Sequence, residues 1–185
     1  KDDQVGGYRL NTNFNEVLMN MGRAYGFAYG HKENGAMFSH MAVMYSNALY
    51  KRGYAEAGNE VISSIYKQSI NYQESKIYPG IPEYINNRGE GLYHYLTGSA
   101  SWLLLTMVTQ VYGVRGDLGD LVLDPKLMAE DFDQNSEAKI TTVFADRDLE
   151  ISYHNPEALN YKDYEINHLL TDHGKDKLLE DQNYL

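Results

Sequence analysis

The sequence lacks cysteine altogether, and it contains only one tryptophan and four prolines among 185 residues. The absence of cysteine excludes a disulfide scaffold, a zinc site built on thiolates and a cysteine nucleophile. Long apolar runs are also missing, since none approaches the ~20 residues that a membrane-spanning helix needs. Basic residues are outnumbered, with 16 Lys and Arg against 26 Asp and Glu, so the formal charge is −10. Such a chain repels phosphate backbones and anionic lipid surfaces, which argues against nucleic acid or a membrane as a partner.

The abundant residues indicate a folded protein. Hydrophobic residues make up 43% of the chain, enough for a core, and the length allows one domain or one domain with part of a second. Tyrosine occurs 17 times, which suits either a core that borders a polar cleft or simple tyrosine-rich packing. The chain begins at Lys1 and not at a methionine, and its polar opening does not resemble a signal peptide. We therefore expect it to be a piece of a longer protein.

The first half of the sequence predicts an ordered loop followed by a helical hairpin. Residues 6–35 are rich in glycine and have little helical periodicity. Helices are predicted over residues 38–51, with Ser39 as the N-cap and Gly53 at the end, and over residues 55–70. The apolar residues at helical spacing are Met41, Met44, Tyr45, Ala48 and Leu49 in the first helix, and Val61, Ile62, Ile65 and Tyr66 on the inner face of the second.

A shaped loop and a third helix follow. Two prolines within residues 77–85 exclude a regular helix there, because each biases its predecessor toward extended backbone. The third helix is predicted over residues 97–112, with Gly113 as its stop. It is apolar on nearly every side, so we expect it to be buried against other helices.

The chain after Gly116 has the pattern of an antiparallel β module. Short alternating runs occur at residues 118–123, 139–145 and 149–154, and a weaker one at 164–169. These strands are too few for a complete sandwich. We therefore predict two domains, residues 1–117 and residues 118–185.

Three polar clusters are candidates for chemistry. His31 and Glu33 have a deaminase-like spacing but lack the paired cysteines, and the histidines lack the spacing of a zinc helix, so we expect no metal site. Taken alone, Lys32 and Glu33 have the pattern of a solvated pair that contributes almost nothing. For His40, taken alone, the more common role is a satisfied histidine on a helix face.

The other two clusters lie in the second half of the predicted helical region. Thr97-Gly98-Ser99 begins the third helix, where unpaired amides attract an anion such as phosphate, although an N-cap threonine has the same signature. The residues form no nucleophile elbow. The proline-rich segment, including Glu83 and Tyr84, combines aromatic rings with a carboxylate near Arg88. That combination suits a sugar, and core packing of the tyrosines explains nearly as much.

Three segments, at residues 32–40, 96–102 and 123–127, resemble glycoside hydrolase family 94, the inverting disaccharide and oligosaccharide phosphorylases. They read Lys-Glu-Asn-Gly-Ala-Met-Phe-Ser-His, Leu-Thr-Gly-Ser-Ala-Ser-Trp and Leu-Asp-Pro-Lys-Leu. Their order and spacing are similar to the family's across roughly residues 5–155. Residues 25–31 and 78–84 resemble the 1,2-β-oligoglucan phosphorylase branch most. The resemblance implies an α+β chain, with the last helices of an (α/α)6 barrel followed by part of a C-terminal antiparallel β-sandwich.

The resemblance also implies site residues. His40, Thr97 and Gly98 would bind inorganic phosphate, which is a substrate, and no further cofactor is implied. Lys32 and Glu33 would contact the acceptor sugar. Glu83 and Tyr84 are further candidates for substrate binding, on the aromatic and acidic character of the proline-rich segment and not on the resemblance.

The implied reaction is phosphorolysis of a β-linked glucan, with a β-1,2-oligoglucan as the best candidate, to α-glucose 1-phosphate with inversion. The family's general acid is an aspartate in a tryptophan-containing motif that lies upstream of the matching segments, and this chain does not contain it. We therefore expect residues 1–185 to be an inactive C-terminal fragment that needs the rest of a cytoplasmic, homodimeric enzyme. The alternatives are the phosphorylase-like domain of a cyclic β-1,2-glucan synthase and a noncatalytic sugar-binding module.

Overall fold

The computed structural model describes residues 1–2, 7–77, 80–94 and 97–171. Tyr78, Pro79, Tyr95 and Leu96, which belong to predicted motifs, and the end of the predicted second domain lie outside these residues. The described chain is α+β, with four helices and small antiparallel sheets. It divides into two compact units, Lys1–Thr106 and Met107–Leu185. Among the described helices, none is long and apolar enough to cross a membrane.

The first unit contains a helical hairpin, a fourth helix and a small sheet. Its helices are α1 (Ser39–Lys51), α2 (Ala55–Ile70), α3 (Tyr72–Ser75) and α4 (Gly98–Thr106), and its strands are β1 (Met37–Phe38), β2 (Tyr84–Ile85) and β3 (Gly91–Leu92). In the predicted loop, the described residues 7–35 form two 3-10 turns, at Met19–Met21 and Arg23–Gly26, and isolated bridges, but no α-helix or named strand.

The three short strands form one antiparallel sheet in the order β1-β2-β3, with Phe38 opposite Tyr84 and Tyr84 opposite Leu92. The Ser39 amide donates to the Glu83 carbonyl at 2.8 Å, so the sheet leads directly into α1. The prediction that residues 77–85 are only loop was therefore wrong for Tyr84 and Ile85, which form β2. A strand of two residues is too short to show the alternation that reveals a strand in sequence.

The helical hairpin has the predicted extent, but its buried faces differ from the prediction. The core of the hairpin is formed by Ala42, Val43, Val61 and Ile65. On α1 the apolar residues at helical spacing are mostly turned outward, since Met41 and Tyr45 are exposed, and on α2 the predicted inner residue Tyr66 is 55% exposed. The predicted N-cap was also wrong, because Phe38 precedes α1 and Ser39 is the first helical residue.

The fourth helix has nearly the predicted extent, with a π-helical last turn, and it is only partly covered. It ends at Thr106 and continues as a π-helical turn over Met107–Val111. It packs against α1, and Leu104 and Leu105 on its other side are 66% and 47% exposed. The prediction of burial on every side was therefore wrong, because α4 turns Trp102 and Leu103 toward the hairpin core and leaves Leu104 and Leu105 exposed.

The second unit contains two β-hairpins. The first pairs β4 (Val114–Asp117) with β5 (Asp120–Leu123), and the second pairs β6 (Glu137–Phe144) with β7 (Arg147–His154). The predicted domain boundary between residues 117 and 118 falls in the turn of the first hairpin. The strand predicted at 164–169 is not present, since the described residues there form isolated bridges only, one of them between Tyr161 and Tyr164. The Tyr164 hydroxyl instead accepts from the Leu127 amide at 2.8 Å.

Candidate functional site

Lys32 and Glu33 occupy the tip of a tight turn between the two residues of a small bridge, His31 and Asn34. The Asn34 amide donates to the His31 carbonyl at 3.1 Å, and the Gly30 amide donates to the Asn34 carbonyl at 2.7 Å. The Asn34 side chain is buried and donates to the Phe27 carbonyl at 2.6 Å. Both charged side chains are therefore presented by a backbone that is hydrogen-bonded on each side of them.

Arg9 braces this turn from a distant part of the sequence. Its guanidinium donates to the Gly35 carbonyl at 2.8 Å and to Asn87 Oδ1 at 2.7 Å, and it pairs with Asp2 at 2.7 Å. Asn87 in turn donates to the Tyr29 carbonyl at 2.9 Å. Sequence reasoning missed Arg9, because nothing in its local pattern distinguishes a bracing arginine from an exposed one.

The Lys32 ammonium is placed over aromatic rings. Its Nζ lies 4.4 Å from the centroid of the Tyr93 ring and 5.7 Å from that of Phe27, within the range of a cation–π interaction. The described residues contain no ion pair between Lys32 and Glu33, and Glu33 is exposed. Phe27 and Tyr93 were not among the predicted site residues.

Tyr84 lies inside a row of rings and is only 3% exposed. Its ring stacks on Phe38, with centroids 6.3 Å apart and planes 7° from parallel, and lies 6.0 Å from the Tyr93 ring. Burial raises the pKa of the Tyr84 hydroxyl, and the neighbouring Tyr93 hydroxyl and Glu83 carboxylate raise it further. Tyr84 therefore remains protonated at neutral pH and can donate a hydrogen bond.

Glu83 is half-buried beside this row and is fixed through its backbone. Its amide donates to the Tyr93 carbonyl at 2.9 Å, and its carbonyl accepts from Ser39. Glu83 thereby joins the aromatic cluster to the start of α1, the helix that carries His40.

His40 and the beginning of α4 are in direct contact. A Cβ atom added to Gly98 would stand 2.7 Å from His40 Cε1 and 3.0 Å from both ring nitrogens. The indole of Trp102, one turn further along α4, lies 6.3 Å from the imidazole centroid. Only glycine leaves room for the imidazole at this position, since real Cβ contacts are not this short.

Thr97 caps α4. Its Oγ1 accepts from the Ser99 amide at 3.2 Å and lies 2.8 Å from Ser99 Oγ. The N-cap role weighed for Thr97 is therefore present in the structure. This role leaves the threonine beside the helix N-terminus, where amides without intrahelical partners and the helix dipole favour an anion.

His40 Nε2 is the unusual atom in this cluster. It is buried, and no described residue hydrogen-bonds to it. A buried polar nitrogen without a partner costs free energy, so a ligand that hydrogen-bonds to it is favoured. The structure thus brings His40, Thr97 and Gly98 together, and it groups Lys32, Glu33, Glu83 and Tyr84 around the neighbouring aromatic row.

The described residues contain no cluster of three or more His, Asp or Glu side chains that could hold a metal ion. Comparison of the sequence with models of known protein families and with curated proteins found no match. The functional proposal therefore rests on the residues of the site and on the resemblance of the three sequence segments.

Proposed function

We propose that this chain supplies the phosphate site and part of the sugar site of an inverting β-glucoside phosphorylase similar to glycoside hydrolase family 94. The observation that carries the proposal is the contact between the His40 imidazole and Gly98 at the N-terminus of α4. These groups are far apart in sequence, and together they would offer a single small anion one ring nitrogen and those first-turn amides of α4 that Thr97 does not cap. Inorganic phosphate has the matching charge and acceptor oxygens.

In the proposed reaction, a phosphate oxygen attacks the anomeric carbon of the β-glucoside. The bond from that carbon to the glycosidic oxygen breaks, and the departing oxygen takes a proton from a general acid. The product is α-glucose 1-phosphate, with inverted configuration. His40 and the α4 amides hold the phosphate in line with the anomeric carbon, so their contribution is orientation and neutralisation of charge.

The sugar side of the proposed site is the turn at Lys32 and Glu33 with its aromatic support. The Lys32 ammonium donates to sugar hydroxyls, and the Glu33 and Glu83 carboxylates accept from them. Because Tyr84 is buried, its contribution is its hydroxyl and its support of neighbouring rings. We propose a β-1,2-linked glucan as the substrate, on the resemblance of residues 25–31 and 78–84.

We also propose that the helices of the first unit belong to an (α/α)6 barrel and the hairpins of the second to a β-sandwich, within a cytoplasmic, homodimeric enzyme. The exposed Leu104 and Leu105 on α4 suit a helix that packs against further barrel helices. The general acid would come from another part of the same enzyme, where the family carries its catalytic aspartate.

Phosphate binding to the 185-residue chain tests the site directly. We expect phosphate to raise its thermal unfolding midpoint in a concentration-dependent manner, since a ligand that binds only the folded state stabilises it. His40→Ala should abolish this effect, whereas His154→Ala, at an exposed histidine on β7, should preserve it. Equal concentrations of sodium chloride control for ionic strength. Retention of the phosphate effect in His40→Ala would refute the assignment.

Turnover is tested in the complete enzyme that contains these residues. We expect release of α-glucose 1-phosphate from a β-1,2-linked glucotriose only when phosphate is present. His40→Ala should raise the KM for phosphate by about ten- to a hundredfold, because a charge-assisted hydrogen bond is worth ~1.5–3 kcal/mol, with a smaller effect on the KM for sugar. Sugar binding that is indifferent to phosphate, without turnover, would favour the noncatalytic module.

A further inference from the structure

Lys32 and Tyr93 both have an unfavourable backbone conformation, and their side chains are in contact. Lys32 has φ of 48° and Tyr93 has φ of 54°, both in the left-handed region. Residues with side chains seldom adopt this region, and a bulky aromatic residue does so least readily. Backbone strain of this kind persists only where the surrounding structure enforces it, and it clusters at functional sites.

The backbone of Tyr93 is held by the small sheet. Its carbonyl accepts from the Glu83 amide at 2.9 Å, directly after β3 ends at Leu92. Its ring is supported by Tyr84, which is itself stacked on Phe38. The ring of Tyr93 is thus backed by the buried Tyr84, while Tyr93 itself is 44% exposed.

The Lys32 ammonium lies 4.4 Å from the centre of that ring. No described carboxylate forms an ion pair with Lys32, and the rings of Tyr93 and Phe27 attract its charge through their π faces. A carboxylate would accept strong hydrogen bonds from the ammonium and so occupy its N–H donors. A π face holds the ammonium in place without such bonds. The donors are therefore free to meet neutral acceptors such as sugar hydroxyls.

We propose that Tyr93 is a positioning residue that holds the Lys32 ammonium for hydrogen bonding to a β-linked glucan. This inference rests on the proposed function, because it takes Lys32 as a sugar contact. It assigns to Tyr93 a role exerted through Lys32, so the loss of the Tyr93 ring should matter only while the ammonium is present.

The geometry is tested by NMR, independently of any ligand. In the wild-type chain the Lys32 ε-methylene protons should be shifted upfield by the ring current of Tyr93. Tyr93→Phe should retain that shift and Tyr93→Leu should reduce it strongly. Tyr66→Leu, at an exposed tyrosine on α2, is the matched control and should leave it unchanged. Absence of the upfield shift in the wild-type chain would overturn the inference even if Tyr93→Leu did not fold.

The role is tested by a double-mutant cycle on the affinity for β-1,2-linked glucotriose. Tyr93→Leu should weaken binding by about three- to tenfold, the size of a cation–π contribution, and Tyr93→Phe should restore it. In a Lys32→Met background, Tyr93→Leu should have almost no further effect. Additive losses would overturn the inference, since they would mean that Tyr93 contacts the sugar directly.

The outcomes separate this inference from the proposed function. If the wild-type chain binds no β-1,2-linked glucotriose, the sugar part of the proposed function fails and the inference fails with it. If the wild-type chain binds the glucan and Tyr93→Leu removes the ring-current shift without weakening binding, only the inference fails.

Discussion

The imidazole of His40 lies so close to Gly98 that a methyl group at that glycine would stand 2.7 Å from His40 Cε1. The contact joins the first turn of α1 to the first turn of α4. It places a buried ring nitrogen without a described partner beside Gly98 at the N-terminus of α4, where Thr97 already caps the Ser99 amide. Both the stability of the first unit and the proposed phosphate site therefore depend on the absence of a side chain at Gly98.

Gly98→Ala should damage the two properties together. The added methyl group must displace an imidazole that is packed near Trp102, so we expect the free energy of unfolding to fall by about 1–3 kcal/mol. The stabilisation by phosphate should be lost as well. Urea unfolding with and without phosphate measures both. Ala100→Ser, at an exposed position in the same turn, is the control, and an unchanged phosphate effect in Gly98→Ala would contradict the prediction.

Arg9→Met should loosen the turn that carries Lys32 and Glu33. The substitution removes hydrogen bonds to the Gly35 carbonyl and to Asn87, and it removes the ion pair with Asp2. We expect a loss of about 2–4 kcal/mol in the free energy of unfolding, because bonds from a charged donor are worth ~1.5–3 kcal/mol each and part of the loss is recovered by relaxation.

The matched control for Arg9 is Arg88→Met, since Arg88 is exposed. It should change the free energy of unfolding by less than about 0.5 kcal/mol. Hydrogen exchange at the Gly30 and Asn34 amides should speed up in Arg9→Met alone. Equal effects of the two substitutions would show that Arg9 does not brace the turn.

Gly58→Ala tests packing against helix propensity. Alanine is favoured over glycine by about 1 kcal/mol in a helix interior. At Gly58, however, the new methyl group would stand 2.5 Å from Cδ2 of the fully buried Tyr50. We expect packing to prevail and the free energy of unfolding to fall by about 1–3 kcal/mol.

The opposite substitution at a neighbouring position provides the comparison for Gly58. Ala57 is exposed on α2, so Ala57→Gly should lower the free energy of unfolding by about 1 kcal/mol through propensity alone. Urea denaturation of both variants gives the two values. Stabilisation by Gly58→Ala would mean that Tyr50 moves aside without cost.

Two tyrosines of the second unit should make its stability depend on alkaline pH. Burial raises the pKa of the Tyr153 and Tyr164 hydroxyls above their ordinary value of about 10. A raised pKa means that the folded state binds the proton more tightly than the unfolded state. The resulting stabilisation is complete below about pH 10 and is lost as the pH rises through the folded-state values.

The alkaline loss should be smaller in Tyr153→Phe. At neutral pH this variant loses about 1 kcal/mol, because the Tyr153 hydroxyl no longer donates to the Tyr112 carbonyl at 2.7 Å. Above pH 10 the difference from the wild-type chain should shrink, since phenylalanine has no proton to lose. Urea unfolding midpoints between pH 8 and 11, with phenolate absorbance, measure this. Parallel pH profiles would contradict the prediction.

The sequence predicted the helical hairpin well because its signals are local. Helical spacing and the glycine at position 53 lie within a few residues of the structure that they specify, and α2 has the predicted bounds. The buried faces were predicted less well. Met41 and Tyr45 recur at helical spacing as a core stripe would, yet the adjacent Ala42 and Val43 face the core. The smaller side chains of Ala42 and Val43 let α1 pack closely against its neighbours. Which face of α1 is buried therefore depends on the neighbouring elements and not on the spacing within α1 alone.

By itself the sequence determined the helical hairpin and the β6–β7 hairpin and, through its resemblance, which residues to consider as a phosphate site. Only the tertiary structure decided which of them meet. The contacts of His40 with Gly98, of Lys32 with Tyr93 and of Arg9 with Asn87 each join residues more than fifty positions apart. Such contacts depend on how whole elements pack, because closing a long loop costs entropy that only the combined burial of many side chains offsets. The two residues of such a contact therefore carry no periodic pattern in the sequence that would reveal it.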